Sequence, residues 1–205
     1  RKGETTMNTK TVFSPKGMAK IGILSGLAVV LMLFEFPLPI APSFYKLDFS
    51  ELAVLLGGFS MGPMAAVMIE ALKNILNVIF TGSGTAYVGE FANFAIGALF
   101  TATASAIYHH NKSKKSAIIG MAVGTVVMAA AGAIVNALVM LPMYSTLYNM
   151  PMDVIIGMGS AICSWIKDIW TFCLFAVVPF NIVKGIIISI LTALIYKHVS
   201  PILHR

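Results

Sequence analysis

Apolar residues fall along this chain in long blocks separated by short polar or Gly/Pro-rich breaks. About 20 apolar residues cross a bilayer as a helix, and the blocks predict membrane spans at Gly17–Phe34, Pro63–Phe80, Tyr87–Tyr108, Ser116–Leu141 and Pro179–Tyr196, with a shorter one at Phe49–Ser60. The breaks have distinct chemistry. Pro37, Pro39 and Pro42 stiffen the segment Glu35–Lys46 and keep it from forming a helix. Asp48 with Glu51 three residues on reads as a capping box for the Phe49 span. Gly57-Gly58 and Gly62-Pro63 mark a tight turn, as does Thr81-Gly82-Ser83-Gly84-Thr85. Pro142 reads as the end of the fifth span and Pro179 as the first turn of the last.

Composition agrees with this pattern. Hydrophobic residues make up 58% of the 205 and charged ones 11%, which places the chain among integral membrane proteins. The expected architecture is all-α, with roughly six transmembrane helices in a single domain over residues 15–205, preceded by a polar tail over residues 1–14. The first apolar block is long enough to stay as a span rather than act as a cleaved signal. The net charge of +6 does not point to nucleic acid, because the basic residues flank predicted spans. Cys163 and Cys173 have no metal-ligand spacing and read as buried free thiols. The pair His109-His110 has no further ligand nearby and is not read as a metal site.

Topology decides the status of Val154–Val178, which is apolar but interrupted by Ser164, Lys167 and Asp168. Arg1, Lys2, Lys10, Lys16 and Lys20 precede or open the first span, Lys112, Lys114 and Lys115 lie between spans four and five, and Lys197 and Arg205 close the chain. Six spans put all three groups in the cytoplasm, as the positive-inside rule favours. A seventh at Val154–Val178 would not, so that stretch is expected to be an external connection. The result is a multi-pass plasma-membrane protein with both termini cytoplasmic.

In that arrangement polar outliers from five spans share one depth near the outer face. They are Asp48 and Glu51, then Asn74 and Asn77 (on one helical face with Glu70), then Tyr87, Glu90 and Asn93, then Asn136, then Asn181 and Lys184. Polar groups in a membrane span are costly unless they face a cavity or each other. An outward-opening pocket accounts for the pattern, and Glu70 pairs with Lys73 along its helix. Amides offer both donors and acceptors, and with Phe44, Tyr45, Leu47, Phe49, Tyr87, Phe91 and Phe180 as expected neighbours they suit a neutral ligand with a flat ring system. No phosphate-cradling loop and no nucleophile–base pair is present in the sequence, so active transport requires partner subunits. Gly22 and Gly26 form a flat strip on the first span, suited either to packing inside the bundle or to a partner helix.

Three motifs carry a resemblance: Leu47-Asp48-Phe49-Ser50-Glu51-Leu52 before Gly58-Phe59-Ser60-Met61-Gly62-Pro63, then Glu70-Ala71-Leu72-Lys73-Asn74, then Pro179-Phe180-Asn181-Ile182-Val183-Lys184-Gly185. Through them the chain resembles, from about Pro15 to its end, the substrate-binding S components of energy-coupling factor vitamin transporters, of the riboflavin-specific type. The resemblance implies a six-helix S-component fold and riboflavin as transported ligand, with no cofactor and no enzymatic step. It also implies docking onto a membrane coupling protein with two ATPases, and transport by toppling of the subunit in the bilayer. By analogy Asn136, Asn181 and Lys184 bond the flavin, the Tyr45–Asp48 segment covers it, and Gly22 and Gly26 stand where the family has an Ala-x-x-x-Ala contact with the coupling protein. The alternatives are an S component for another vitamin, a stand-alone facilitator, and a small membrane enzyme using Glu70, Lys73 and Glu90.

Overall fold

The computed structural model describes residues 12–203, with side chains described through Tyr196. Most of the expected N-terminal tail, residues 1–11, and the side chains of Lys197 and Arg205 lie outside the described residues. Val12 is buried against the first helix.

Nearly all the regular structure is helical. Helix α1 is Pro15–Met32, opened by the Ser14 side chain, which accepts from the Gly17 N–H. A minimal antiparallel ribbon follows, β1 (Phe36–Pro37) with β2 (Lys46–Leu47), pairing Phe36 with Leu47. Then come α2 (Ser50–Met61), α3 (Pro63–Thr81) and α4 (Val88–His110). Helix α5 (Lys114–Val135) passes through a π turn at Asn136–Met140 into α6 (Leu141–Leu147). The short α7 (Met152–Ser160) stands apart from α8 (Ile169–Phe172). A second π turn, Cys173–Val177, joins α8 to α9 (Val178–Leu203). Among the described residues five helical stretches are long and apolar enough to cross a membrane, and α2, at 12 residues, is a shorter apolar sixth.

Helix α2 is short because it is central. Every residue from Ser50 to Phe59 is buried, and α1, α3, α4 and α9 all pack against it. A helix apolar on all sides and enclosed by others needs no lipid-facing length. Around it α1 packs on α3, α3 on α4, α4 on α5, and α5 on α9. The outward faces, including Ile23, Leu27, Ile79, Val126 and Ile190, are exposed and apolar, as a lipid-facing surface requires.

The contact between α4 and α5 depends on small residues. A Cβ on Gly120 would lie 2.6 Å from the Ala104 carbonyl oxygen, and one on Gly124 would lie 2.7 Å from that of Phe100. Gly62, at φ +106°, makes the turn between α2 and α3 before Pro63 opens α3.

Two expectations about proline are corrected. Pro142 does not end the fifth span, and Pro179 does not open the last one. In both places the helix runs through, over Lys114–Leu147 and Ile169–Tyr196. A helical proline loses the bond to residue i−4 and its ring crowds that carbonyl. Here each proline follows directly on a π turn, closed by Leu141 N–H to Asn136 O and by Val178 N–H to Cys173 O. The wide turn re-phases the backbone ahead of the ring. The last helix therefore starts at Asp168, whose carboxylate accepts from the Thr171 N–H in a capping box. Only the part of Val154–Val178 before Ile169 is connection.

Gly124→Val drives a branched side chain into the Phe100 carbonyl and should cost about 1–3 kcal/mol. Thermal unfolding of the detergent-purified protein should show a clear drop for this variant. Gly22→Val, with nothing within 4 Å of its Cβ, should leave the midpoint where it was.

Candidate functional site

The 33–49 segment crosses one end of the bundle. Lys46 and Glu35 form a surface ion pair at 2.5 Å. Leu47 turns inward and packs with Ala41 and Phe180. Tyr45 donates to Asn136 Oδ1 at 2.6 Å, tying the segment to the π turn of the fifth span. Burial, then the neighbouring Cys173 and Tyr144, push the Tyr45 phenol well above its ordinary pKa, so it stays a donor.

Beneath this segment lies a buried ion network. Lys184 Nζ meets Asp48 Oδ2 at 2.9 Å and Glu51 Oε1 at 3.0 Å. Lys73 Nζ meets the same Glu51 oxygen at 3.2 Å, Glu70 Oε1 at 2.7 Å and Ser50 Oγ at 2.7 Å. Ser50 in turn donates to Asp48 from its N–H at 2.8 Å and from its hydroxyl. All five charged residues are buried. Burial alone would raise the Asp48 pKa, but the Lys184 and Lys73 ammoniums and the Ser50 hydroxyl hold it well below the usual carboxylate range. The capping box expected from Asp48 and Glu51 is absent: the helix N-cap is Phe49, and Glu51 is committed to the two lysines.

Above the network is a cavity of about 430 Å³, within the ~300–1,000 Å³ usual for small-molecule sites. Its deep end is set by Asp48, Glu51 and Lys184, and its rim by Glu35, Lys46 and the 81–90 segment. Phe44, Tyr45, Tyr144 and Phe180 give it aromatic walls, with Phe44–Tyr45 ring centroids 4.7 Å apart and Tyr45–Phe180 5.6 Å. The amides are partly engaged. Asn136 Nδ2 donates to Gly132 O at 2.8 Å, and Asn181 Nδ2 to Val177 O at 2.9 Å. Each NH₂ keeps one more donor. Asn93 Oδ1 is buried with no hydrogen-bond partner among the described residues.

Of the ten expected binding residues, Tyr45, Asp48, Glu90, Asn93, Asn136, Asn181 and Lys184 line the cavity. Leu47, Asn74 and Tyr87 do not. Leu47 belongs to the core. Asn74 is buried against its own helix, donating to Glu70 O at 2.8 Å. Tyr87 sits at φ +68° as the N-cap of α4 with an exposed side chain. Glu51, Asn77, Thr85 and Tyr144 also line the cavity. Glu51 belongs to the polar set expected at this depth, but its spacing from Asp48 mimics a cap. Tyr144 was hidden by Pro142, read as a helix end. Asn77 already shared a helical face with Glu70.

Fold and site together define a helical membrane protein with an end-opening cavity whose floor is charged, with each charge held in an ion pair. Residues 16–196 match the family described as "ECF transporter, substrate-specific component". The chain is 38% identical to "Riboflavin transporter RibU" of Staphylococcus aureus (strain TCH60), over 93% of each chain. It is 30% identical to "Riboflavin transporter FmnP" of Bacillus subtilis (strain 168), over 91% of this chain and 93% of that one. A solved structure, described as the S component of a bacterial ECF transporter, superposes with a TM-score of 0.71 at 37% identity, covering 93% of this chain and 98% of that one. The chain belongs to the substrate-specific components of ECF transporters. Membership of a transporter-subunit family answers the enzyme alternative, and Glu70 and Lys73 are fully buried in an ion pair with each other.

Replacing Lys184 by Met strands Asp48 and Glu51 in a buried site. Breaking a buried ion pair from one side costs about 3–5 kcal/mol. Thermal unfolding should show a far larger loss for Lys184→Met than for Lys46→Met, whose exposed pair with Glu35 counts for at most about 1 kcal/mol.

Proposed function

We propose that this chain is the riboflavin-binding subunit of an ECF transporter. The observation that carries the reading is the pairing of Asn136 and Asn181 on adjoining helices at an aromatic-walled cavity of about 430 Å³. Their spare amide groups match a ring edge of alternating carbonyls and nitrogens, and Phe44, Tyr45, Tyr144 and Phe180 match its faces. The names of the two relatives support riboflavin over other vitamins. Lys184 spends two donors on Asp48 and Glu51 and has a third for the ligand. The Tyr45–Asp48 segment covers the bound flavin, with the Tyr45–Asn136 bond as its latch.

In this reading the cavity opens outward and both termini are cytoplasmic. Support comes from the charge pattern: the 33–49 and 81–90 segments border the cavity, while Lys112, in the turn between α4 and α5, and Lys114 and Lys115, which open α5, lie at the other end. The chain holds no nucleotide-binding motif, so uptake draws on ATP hydrolysed by two ATPases through a membrane coupling protein. Gly22 and Gly26 are both exposed on α1, with nothing within 4 Å of a built Cβ. That favours the partner-docking role over internal packing, since small residues let another helix approach closely.

Asn181→Leu removes amide groups that the ligand needs and should cost about 1–3 kcal/mol, or roughly fivefold to 150-fold in Kd. Titration by quenching of riboflavin fluorescence measures this, and an unchanged Kd removes Asn181 from the site. Gly22→Phe should abolish flavin uptake in vesicles carrying the coupling protein and ATPases while leaving flavin binding by the purified subunit measurable. Undiminished uptake would place the partner elsewhere.

A further inference from the structure

The charge lining the cavity does not balance. Its carboxylates are Glu35, Asp48, Glu51 and Glu90, and its cations are Lys46 and Lys184. Both cations are already paired: Lys46 with Glu35, and Lys184 with Asp48 and Glu51. Glu90 has no cation within 4 Å among the described residues. Its Oε2 accepts instead from Ser83 Oγ at 3.0 Å and Thr85 Oγ1 at 2.8 Å. Those hydroxyls fold the segment between α3 and α4, since Ser83 Oγ accepts from the Tyr87 N–H at 2.7 Å and Thr85 Oγ1 from the Gly89 N–H at 3.0 Å. Glu90 Oε1 takes no hydrogen bond from any described residue. A carboxylate without a cation thus stands in the wall of the cavity, half-buried, on the segment that borders its rim.

We propose that Glu90 is a specificity-determining residue that sets the cavity against anionic forms of its ligand, so that the neutral vitamin is taken in preference to its phosphate ester. This rests on the riboflavin reading above. A phosphoester entering the cavity meets no unpaired ammonium or guanidinium among the lining residues, and it meets an uncompensated carboxylate in a region where water screens less than in bulk. A phosphate monoester carries about −1.5 to −2 charges at neutral pH, so the repulsion is larger than for any singly charged analogue. Neutral riboflavin feels none of it.

The same side chain also holds a loop, and the two roles separate in one variant. Both hydroxyl bonds end on the single atom Oε2, so the amide oxygen of Glu90→Gln can accept both while the charge is gone. The readout is the ratio of Kd for riboflavin 5′-phosphate to Kd for riboflavin, measured by fluorescence quenching on the purified full chain. In Glu90→Gln this ratio should fall by at least about threefold, as expected for removing one nearby charge in a partly screened site. A loop-holding role alone would move both constants together and leave the ratio fixed, which would overturn the proposal. A second measurement needs no variant: raising the salt from low to high should compress the ratio for the unmodified protein, because Glu90 is half-buried and open to screening. A ratio indifferent to salt contradicts the proposal. If the unmodified protein binds neither flavin, the riboflavin reading fails and this inference with it. Tight riboflavin binding with an unmoved ratio defeats this inference alone.

Discussion

The structure depends on an ion network where a membrane protein can least tolerate an error in it. Asp48, Glu51, Lys73 and Lys184, with Glu70 beyond them, join the start of α2 to α3 and α9. Each charge alone would be costly in that interior, and together they compensate one another. The network fixes the central helix in depth and rotation. It also shapes the cavity above, because the ammonium of Lys184 is held by Asp48 and Glu51 while the amides of Asn136 and Asn181 each engage only one donor within the protein. A neutral, flat molecule is the natural occupant of such a site.

The cavity walls owe their shape to two local irregularities. Asn136 opens one π turn, and Asn181 follows closely on the other. Each turn precedes a proline, and each lets a long helix continue past it. The backbone is thereby re-phased beside the site, and each Asn returns one donor to the carbonyl four residues back. Irregular backbone deep in a membrane is tolerable where protein covers it or where it borders a cavity. The first turn borders the cavity through Asn136 and Met140, and the second buries Cys173, Ala176 and Val177 against the protein.

Much of this was legible in the sequence. Apolar block length placed α1, α3 and α4 to within a few residues, because lipid contact imposes a length and a composition that side-chain packing cannot override, whereas the last two long helices run past the prolines read as their limits. Seven of the ten proposed site residues line one cavity because intramembrane polar groups have few places to go. The misreadings share a cause. Pro142 and Pro179 read locally as boundaries, because proline propensity carries no sign of the π turn that precedes each one. Glu51 looked like a capping residue because sequence spacing carries no information about Lys184, which reaches it from the far end of the chain. Asn74 and Tyr87 were polar at the right depth but rotated away, to the helix's own carbonyl in one case and to the exterior in the other.

The central claim is that the cavity formed by Asn136, Asn181 and Lys184 above the ion network holds riboflavin. An absorption spectrum of the detergent-purified protein after exhaustive washing tests it most directly. Retained flavin absorbance at close to one flavin per chain is expected, with less retained by the Asn181→Leu variant. A colourless protein that also fails to quench added riboflavin fluorescence would contradict it, and the network and cavity would then need a different ligand.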